Sequence, residues 1–170
     1  MSNSFYTLLF ILFLSCSSKT DENFFNNNKK YWTNDIKEIE KVMSYILDYD
    51  AYKDLSKLDK NKKIEYIDNY FKSIDPDTTT IYNESIAELS RRVKTSKNNF
   101  SGPDGGIYSD RAKIFIVYGT PNDIYETYIN NQETIVWEYK INNDKTEFYF
   151  INDSFGKFNL IIDDFNYINN

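Results

Sequence analysis

The chain has 170 residues, a net charge of −6, 41% hydrophobic and 18% aromatic residues, one cysteine and no histidine. That length is a prior for one domain, and the acidic balance argues against a nucleic-acid partner, whose phosphates need a basic face. Without histidine, Ser-His-Asp and Cys-His mechanisms and His-containing zinc sites are excluded, leaving carboxylates, Lys, Arg, Tyr or a hard metal ion for any catalysis.

From the N-terminus, Phe5 to Leu14 is an almost wholly apolar run. It is shorter than the roughly 20 apolar residues that span a bilayer and has the length of a secretory h-region. With Ser15-Cys16 behind it, the run resembles a bacterial lipoprotein signal whose lipobox is Phe13-Leu14-Ser15-Cys16, with Phe13 at the usual Leu position and no Lys or Arg ahead. The resemblance implies cleavage after residue 15, lipidation of Cys16 and a periplasm-facing, outer-membrane place in a bacterial envelope, since Ser17 follows the cysteine. The competing reading is a buried N-terminal strand with an incidental thiol. As an anchor, Cys16 leaves no thiol for a disulfide, a nucleophile or a soft metal site, and no metal or other cofactor is expected.

Residues 16–33 are polar and Asn-rich and read as a tether; a single domain is expected over 34–168, its helical part at 34–98 and its sheet part at 107–165. Thr33-Asn34-Asp35 offers N-cap chemistry. Ile36, Ile39, Met43, Ile46 and Leu47 then recur at helical spacing and predict a first helix ending near Tyr49. A second, with Ile64, Ile67 and Phe71 on one face, starts about Asp59 and stops at Asp75-Pro76, because proline disfavours helical geometry in the residue before it. Thr78 to Thr80 are read as the next cap, and Tyr82, Ile86, Leu89 and Val93 as the stripe of a third helix. Asn98 to Gly106 reads as a loop.

Ile114 to Tyr118, closed by Gly119-Thr120-Pro121, is read as a strand buried on both faces. Ile124–Ile129, Ile135–Lys140, Thr146–Ile151 and Phe158–Ile162, separated by Asn-rich turns, read as an antiparallel meander. The expected fold is α+β, with N-terminal amphipathic helices packed on a four- to five-stranded, mainly antiparallel sheet.

The stretch Gly106-Ile107-Tyr108-Ser109-Asp110-Arg111, with Ile114 to Tyr118 and Gly119-Thr120-Pro121-Asn122-Asp123 after it, resembles the GWxTD domain of bacterial envelope proteins. That family reads G-W-x-T-D-R-G, an apolar strand, then Y-G-x-P-D. Asp75-Pro76, Thr80, Asn83-Glu84, Arg92-Val93, Phe100 and Trp137-x-Tyr139 fit the same pattern, so the resemblance covers about 59–162. Ile107 replaces the naming Trp, and Ser109 replaces the Thr while keeping its hydroxyl. The resemblance implies an exported, often lipid-anchored protein and carries no established activity.

Gly106, Ser109, Asp110, Arg111, Tyr118, Gly119 and Pro121 are therefore the candidate binding residues, with Asn83, Glu84 and Arg92 as a supporting network. A carboxylate beside a guanidinium can orient a ligand by bidentate contacts. The alternative gives Asp110 to loop N–H groups and pairs Arg111 with an acid such as Glu84, or Asp110 with Arg92, tying helix to strand. Asp75-Pro76-Asp77-Thr78-Thr79 formally fits the D-x-D-x-T of haloacid-dehalogenase-like phosphohydrolases, and Ile161 to Asp164 their last acidic motif, but a helix stands where that chemistry needs a buried parallel strand. Ser101 to Gly106 lacks the G-K-[ST] of a P-loop. Tyr125, Tyr128, Trp137, Tyr139, Phe148 and Tyr149 are a stacking platform only if exposed in a row; otherwise they are core and cross-strand pairs. The expected function is a membrane-anchored, non-catalytic module for an envelope protein partner. The alternative is a periplasmic glycan- or peptide-binding domain or hydrolase using Asp110, Arg111 and nearby carboxylates.

Overall fold

The computed structural model describes residue 33 and residues 35–161. The lipobox with Cys16, nearly all of the tether, and the acidic motif at Asp163-Asp164 lie outside the described residues.

Aspartates and asparagine set the helix starts. The Asp35 carboxylate accepts from Lys37 N–H at 2.9 Å and opens α1, Ile36–Ile46. The first predicted helix does not continue to Tyr49: the chain turns at Leu47, and Asp48 takes the Ala51 N–H at 2.8 Å to begin α2, Tyr49–Lys57. An Asp side chain competes well for an orphan N–H at a helix start and poorly in a helix interior, so the first stripe ends at Leu47 and α2, which the sequence reading does not predict, follows as a separate helix. Asp59 caps α3, Lys60–Ser73, by accepting from Asn61 and Lys62 N–H, and the Lys62 bond leads in holding its carboxyl below the usual range.

The cap of α4, Glu84–Asn99, is Asn83 rather than the threonines. Its Oδ1 accepts from Ile86 N–H at 2.9 Å, while its Nδ2 donates to the Phe71 carbonyl at 2.9 Å, which docks the start of α4 on the end of α3. The Thr80 hydroxyl instead donates to the Tyr82 carbonyl at 2.7 Å, and Tyr82 lies ahead of the helix, half exposed.

The largest departure from expectation is at 114–118. These residues form not a strand but the second half of a helix, α5, Asp110–Tyr118. Five apolar residues in a row suit a buried strand or a buried helix equally well, and periodicity cannot separate them. Local chemistry decides: Ser109 is an N-cap, Asp110 puts an acid in the first turn, and Gly119 stops the helix. Ala112, Ile114, Phe115 and Ile116 are all buried, as expected of a helix enclosed on most sides. The helical part therefore runs to Tyr118 rather than 98, and the sheet begins at Asp123 rather than 107.

Among the described residues the sheet has four antiparallel strands in the order β1 (Asp123–Ile129), β2 (Gln132–Ile141), β3 (Asp144–Asn152) and β4 (Phe158–Leu160). Asn130-Asn131 and Asn142-Asn143 all have positive φ, between 52° and 72°. That is the geometry of two-residue hairpin turns whose twist matches the strands. In β2, Ile135, Trp137, Tyr139 and Ile141 face the helices and join the main core, while Thr134 and Val136 face the other side. Val136 is nonetheless fully buried. Its β1 partner Tyr125 reaches past β2 to donate its hydroxyl to Glu147 on β3 at 2.7 Å, and Tyr149 donates to the same carboxylate, so two rings shield it.

The core is one cluster. It runs from Ile39, Val42 and Met43 of α1 through Phe71 of α3 and Leu89 and Val93 of α4 to Trp137, Phe148 and Phe150 of the sheet, with α5 between helices and strands. Helices on one face of an antiparallel sheet make this an α+β fold.

Candidate functional site

The stretch 104–119 is where the candidate residues converge. Two one-turn 3-10 helices, Gly102–Asp104 and Gly106–Tyr108, turn the chain from α4 into α5. Gly105 joins them at φ 98°, a left-handed conformation that glycine adopts without strain. Gly106 donates its N–H to the Phe100 carbonyl, and its own carbonyl accepts from the Ser109 hydroxyl at 2.9 Å. Ser109 Oγ in turn accepts from Ala112 N–H at 3.0 Å, so the hydroxyl that replaces the family Thr does the capping. Ile107, at the Trp position, is 3% exposed, and its carbonyl accepts from the Tyr45 hydroxyl at 3.0 Å. Burial, with Asp110 and Tyr108 nearby, pushes the Tyr45 hydroxyl up to about 12. In this chain the position belongs to the core.

Asp110 and Arg111 act on β4. The Asp110 carboxylate accepts from Leu160 N–H at 2.9 Å. Arg111 Nε donates at 2.8 Å to Asp104, which is 3% exposed and also accepts from Phe158 N–H at 2.9 Å. The Arg111 guanidinium lies 4.1 Å from the Phe158 ring centroid and 5.1 Å from that of Phe100, a cation–π sandwich. Phe158 and Leu160 are two residues apart on an edge strand, so their N–H groups point away from β3. The two aspartates thus occupy donors that would otherwise form an open sheet edge.

The expected Glu84–Arg111 and Asp110–Arg92 contacts do not form. Arg111 finds Asp104, an acid on which the sequence reading placed nothing because the loop between them hides their proximity. Arg92 donates Nε to Glu88 at 2.8 Å and Nη1 to the Ile116 and Val117 carbonyls at 3.1 and 2.7 Å, closing the last turn of α5. Glu88 also takes a two-pronged contact from Arg91, and these bonds, led by Arg91, hold its carboxyl down to about 2.

Gly119 follows at φ 81°, ψ −148°, in a region essentially reserved for glycine, and a Cβ there would sit 3.1 Å from the Arg92 guanidinium carbon. Its carbonyl accepts from the Tyr139 hydroxyl at 2.8 Å. Gly119→Ala is therefore expected to lower stability by about 2 kcal/mol, within the usual cost of such strain, read as a lower urea midpoint. Tyr118 packs its ring 5.3 Å from Phe148 and 5.6 Å from Tyr139. Pro121 is half-buried in the turn into β1.

The other candidates resolve similarly. Asp75 and Asp77 accept from Asp77 N–H and from Thr79, making a turn after α3 and not the end of a strand. Trp137, Tyr139 and Phe148 are core, Tyr125 and Tyr149 converge on Glu147, and Tyr128 is exposed on β1, so these rings make no stacking row.

Concavity lies elsewhere. A cleft of about 360 Å³ opens between the end of α1, α3, α4 and α5, walled by Ile46, Tyr70, Leu89 and Val117, with Glu84 in it. Glu84 is not the partner of Arg111, and its Oε2 is enclosed and has no hydrogen-bond partner among the described residues. No group of three or more His, Cys, Asp or Glu among those residues could hold a metal ion. In comparisons with known proteins, no curated protein and no solved structure matches. The model of the GWxTD domain matches residues 9–163, nearly the whole sequence and the motif stretch with it, and the chain therefore belongs to the GWxTD-domain family.

Proposed function

We propose that this protein is a lipid-anchored envelope protein whose folded domain is a non-catalytic module for binding or assembling a protein partner. The observation that carries the reading is an apolar rim beside the cleft: Ile74 is 43%, Tyr82 50% and Ile81 100% exposed, within one connection between α3 and α4. Clustered apolar exposure of this kind is a mark of an interaction surface. The rival reading, ligand chemistry at Asp110 and Arg111, is weakened because their named bonds go to β4 and to Asp104. The anchor rests on the apolar run before Cys16. Cys16→Ala is expected to move the protein from the membrane fraction to the soluble fraction, measured by immunoblot of fractionated cells. Unchanged membrane retention of the variant would remove the anchor. In-cell cross-linking of the full chain is expected to capture a reproducible envelope protein, and recovery of the chain alone would sink the module reading.

A further inference from the structure

We infer that the cleft between α3, α4 and α5 receives a segment of another protein that presents a Lys or Arg side chain to Glu84 beside an aliphatic one. The inference rests on the binding-module reading and specifies the partner's chemistry. The polar side chains of Asn83, Ser85 and Glu88 beside Glu84 are engaged. Asn83 holds Phe71 and Ile86, Ser85 donates to the Ile74 carbonyl at 2.9 Å, and Glu88 is bound by Arg91 and Arg92. Among the described residues that line this face, Glu84 Oε2 and Ser90 Oγ are enclosed without a hydrogen-bond partner, and of the two only Glu84 carries a charge. An enclosed polar atom without a partner is destabilising, and a carboxylate is satisfied best by a cationic donor.

The shape selects a chain segment over a small amine. The cleft of about 360 Å³ is close to the lower limit of small-molecule sites, enough for one or two side chains. A second hollow of about 430 Å³, lined by Tyr82, Ala87, Arg91 and Lys94, also has Glu84 in its wall. Two hollows sharing the Glu84 and Glu88 side chains form a track along α4 that a compact ligand would leave half empty. The apolar rim at Ile74, Ile81 and Tyr82 extends the contact beyond the cleft, where only a macromolecule would cover it. An aliphatic anchor in the cleft with a basic residue beside it, over Glu84, matches this surface.

The test is selection of a displayed random linear peptide library against the purified full chain, followed by Kd measurement on the enriched peptides. The expected result is enrichment of Lys or Arg next to Leu, Ile, Val or Met. Glu84→Gln should weaken those peptides about tenfold, the loss of one charge-assisted bond, and Tyr128→Ser on β1 should leave them unchanged. No enrichment, enrichment without a basic residue, or equal Kd for Glu84→Gln overturns the inference. A photo-cross-linking residue at Ile74 in cells separates the two levels. A partner captured by general cross-linking but never from Ile74 leaves the module reading standing and removes the cleft. A cross-link from Ile74 back to Lys29-Lys30 of the chain itself also overturns the inference.

Discussion

Asp104→Ala is expected to lower the unfolding free energy by about 3–5 kcal/mol, the range for removing one partner of a buried ion pair. The Asp104 side chain is 2% and the Arg111 side chain 16% exposed, so water compensates only a small part of the charge left on Arg111 when Asp104 is lost. The substitution leaves the guanidinium between Phe100 and Phe158 without its carboxylate and strips the acceptor from Phe158 N–H. Asp104→Asn keeps an acceptor for that N–H while removing the charge, and its loss should fall between wild type and alanine. Urea denaturation followed by far-UV circular dichroism reads both, with the m-value as a check that compactness is retained. A midpoint unchanged by Asp104→Ala would mean that β4 does not depend on this pair.

A loss of similar size, about 3–5 kcal/mol, is expected for Trp137→Ala, by lost burial and the cavity left behind. Trp137 is 4% exposed and central in β2, with its ring 4.8 Å from Phe150, 5.6 Å from Phe100 and 6.4 Å from Phe115. It is where the sheet, α5 and the end of α4 meet, so no single neighbour can move in to fill the space. Trp137→Phe preserves part of the ring contact and should cost less than half as much. Because Trp137 is not among the residues that line the cleft, the phenylalanine variant should keep the peptide selectivity expected there while the stability falls. Loss of that selectivity with the fold intact would place the binding surface on the sheet side instead.

These results connect the family motif to its physical work in this chain. Ser109 starts α5, Asp110 and the Asp104–Arg111 pair fasten β4 to it, and Gly119 ends it beneath Arg92. The side chains of Ser109, Asp110 and Arg111 already have partners within the domain. The surface left for recognition is formed by the three helices, where family-pattern residues and ordinary amphipathic residues mix.

Much of this architecture follows from short-range chemistry and was legible in the sequence alone. Alternation along β2, paired asparagines at the two hairpins, and Asp59 and Pro76 at either end of α3 each act over a few residues, where backbone preference is strong. The α+β class and the strand order follow from them. What tertiary structure decided is of another kind. The run Ile114 to Tyr118 is equally apolar as helix or strand, and its helical state depends on a Ser109 cap and on being enclosed by α1, α4 and the sheet. The partner of Arg111 depends on two tight turns that bring Asp104 alongside it. The isolation of Glu84 depends on where α3 and α5 come to rest around α4, since a side chain's unmet hydrogen-bonding need is a property of its surroundings and not of its place in the chain.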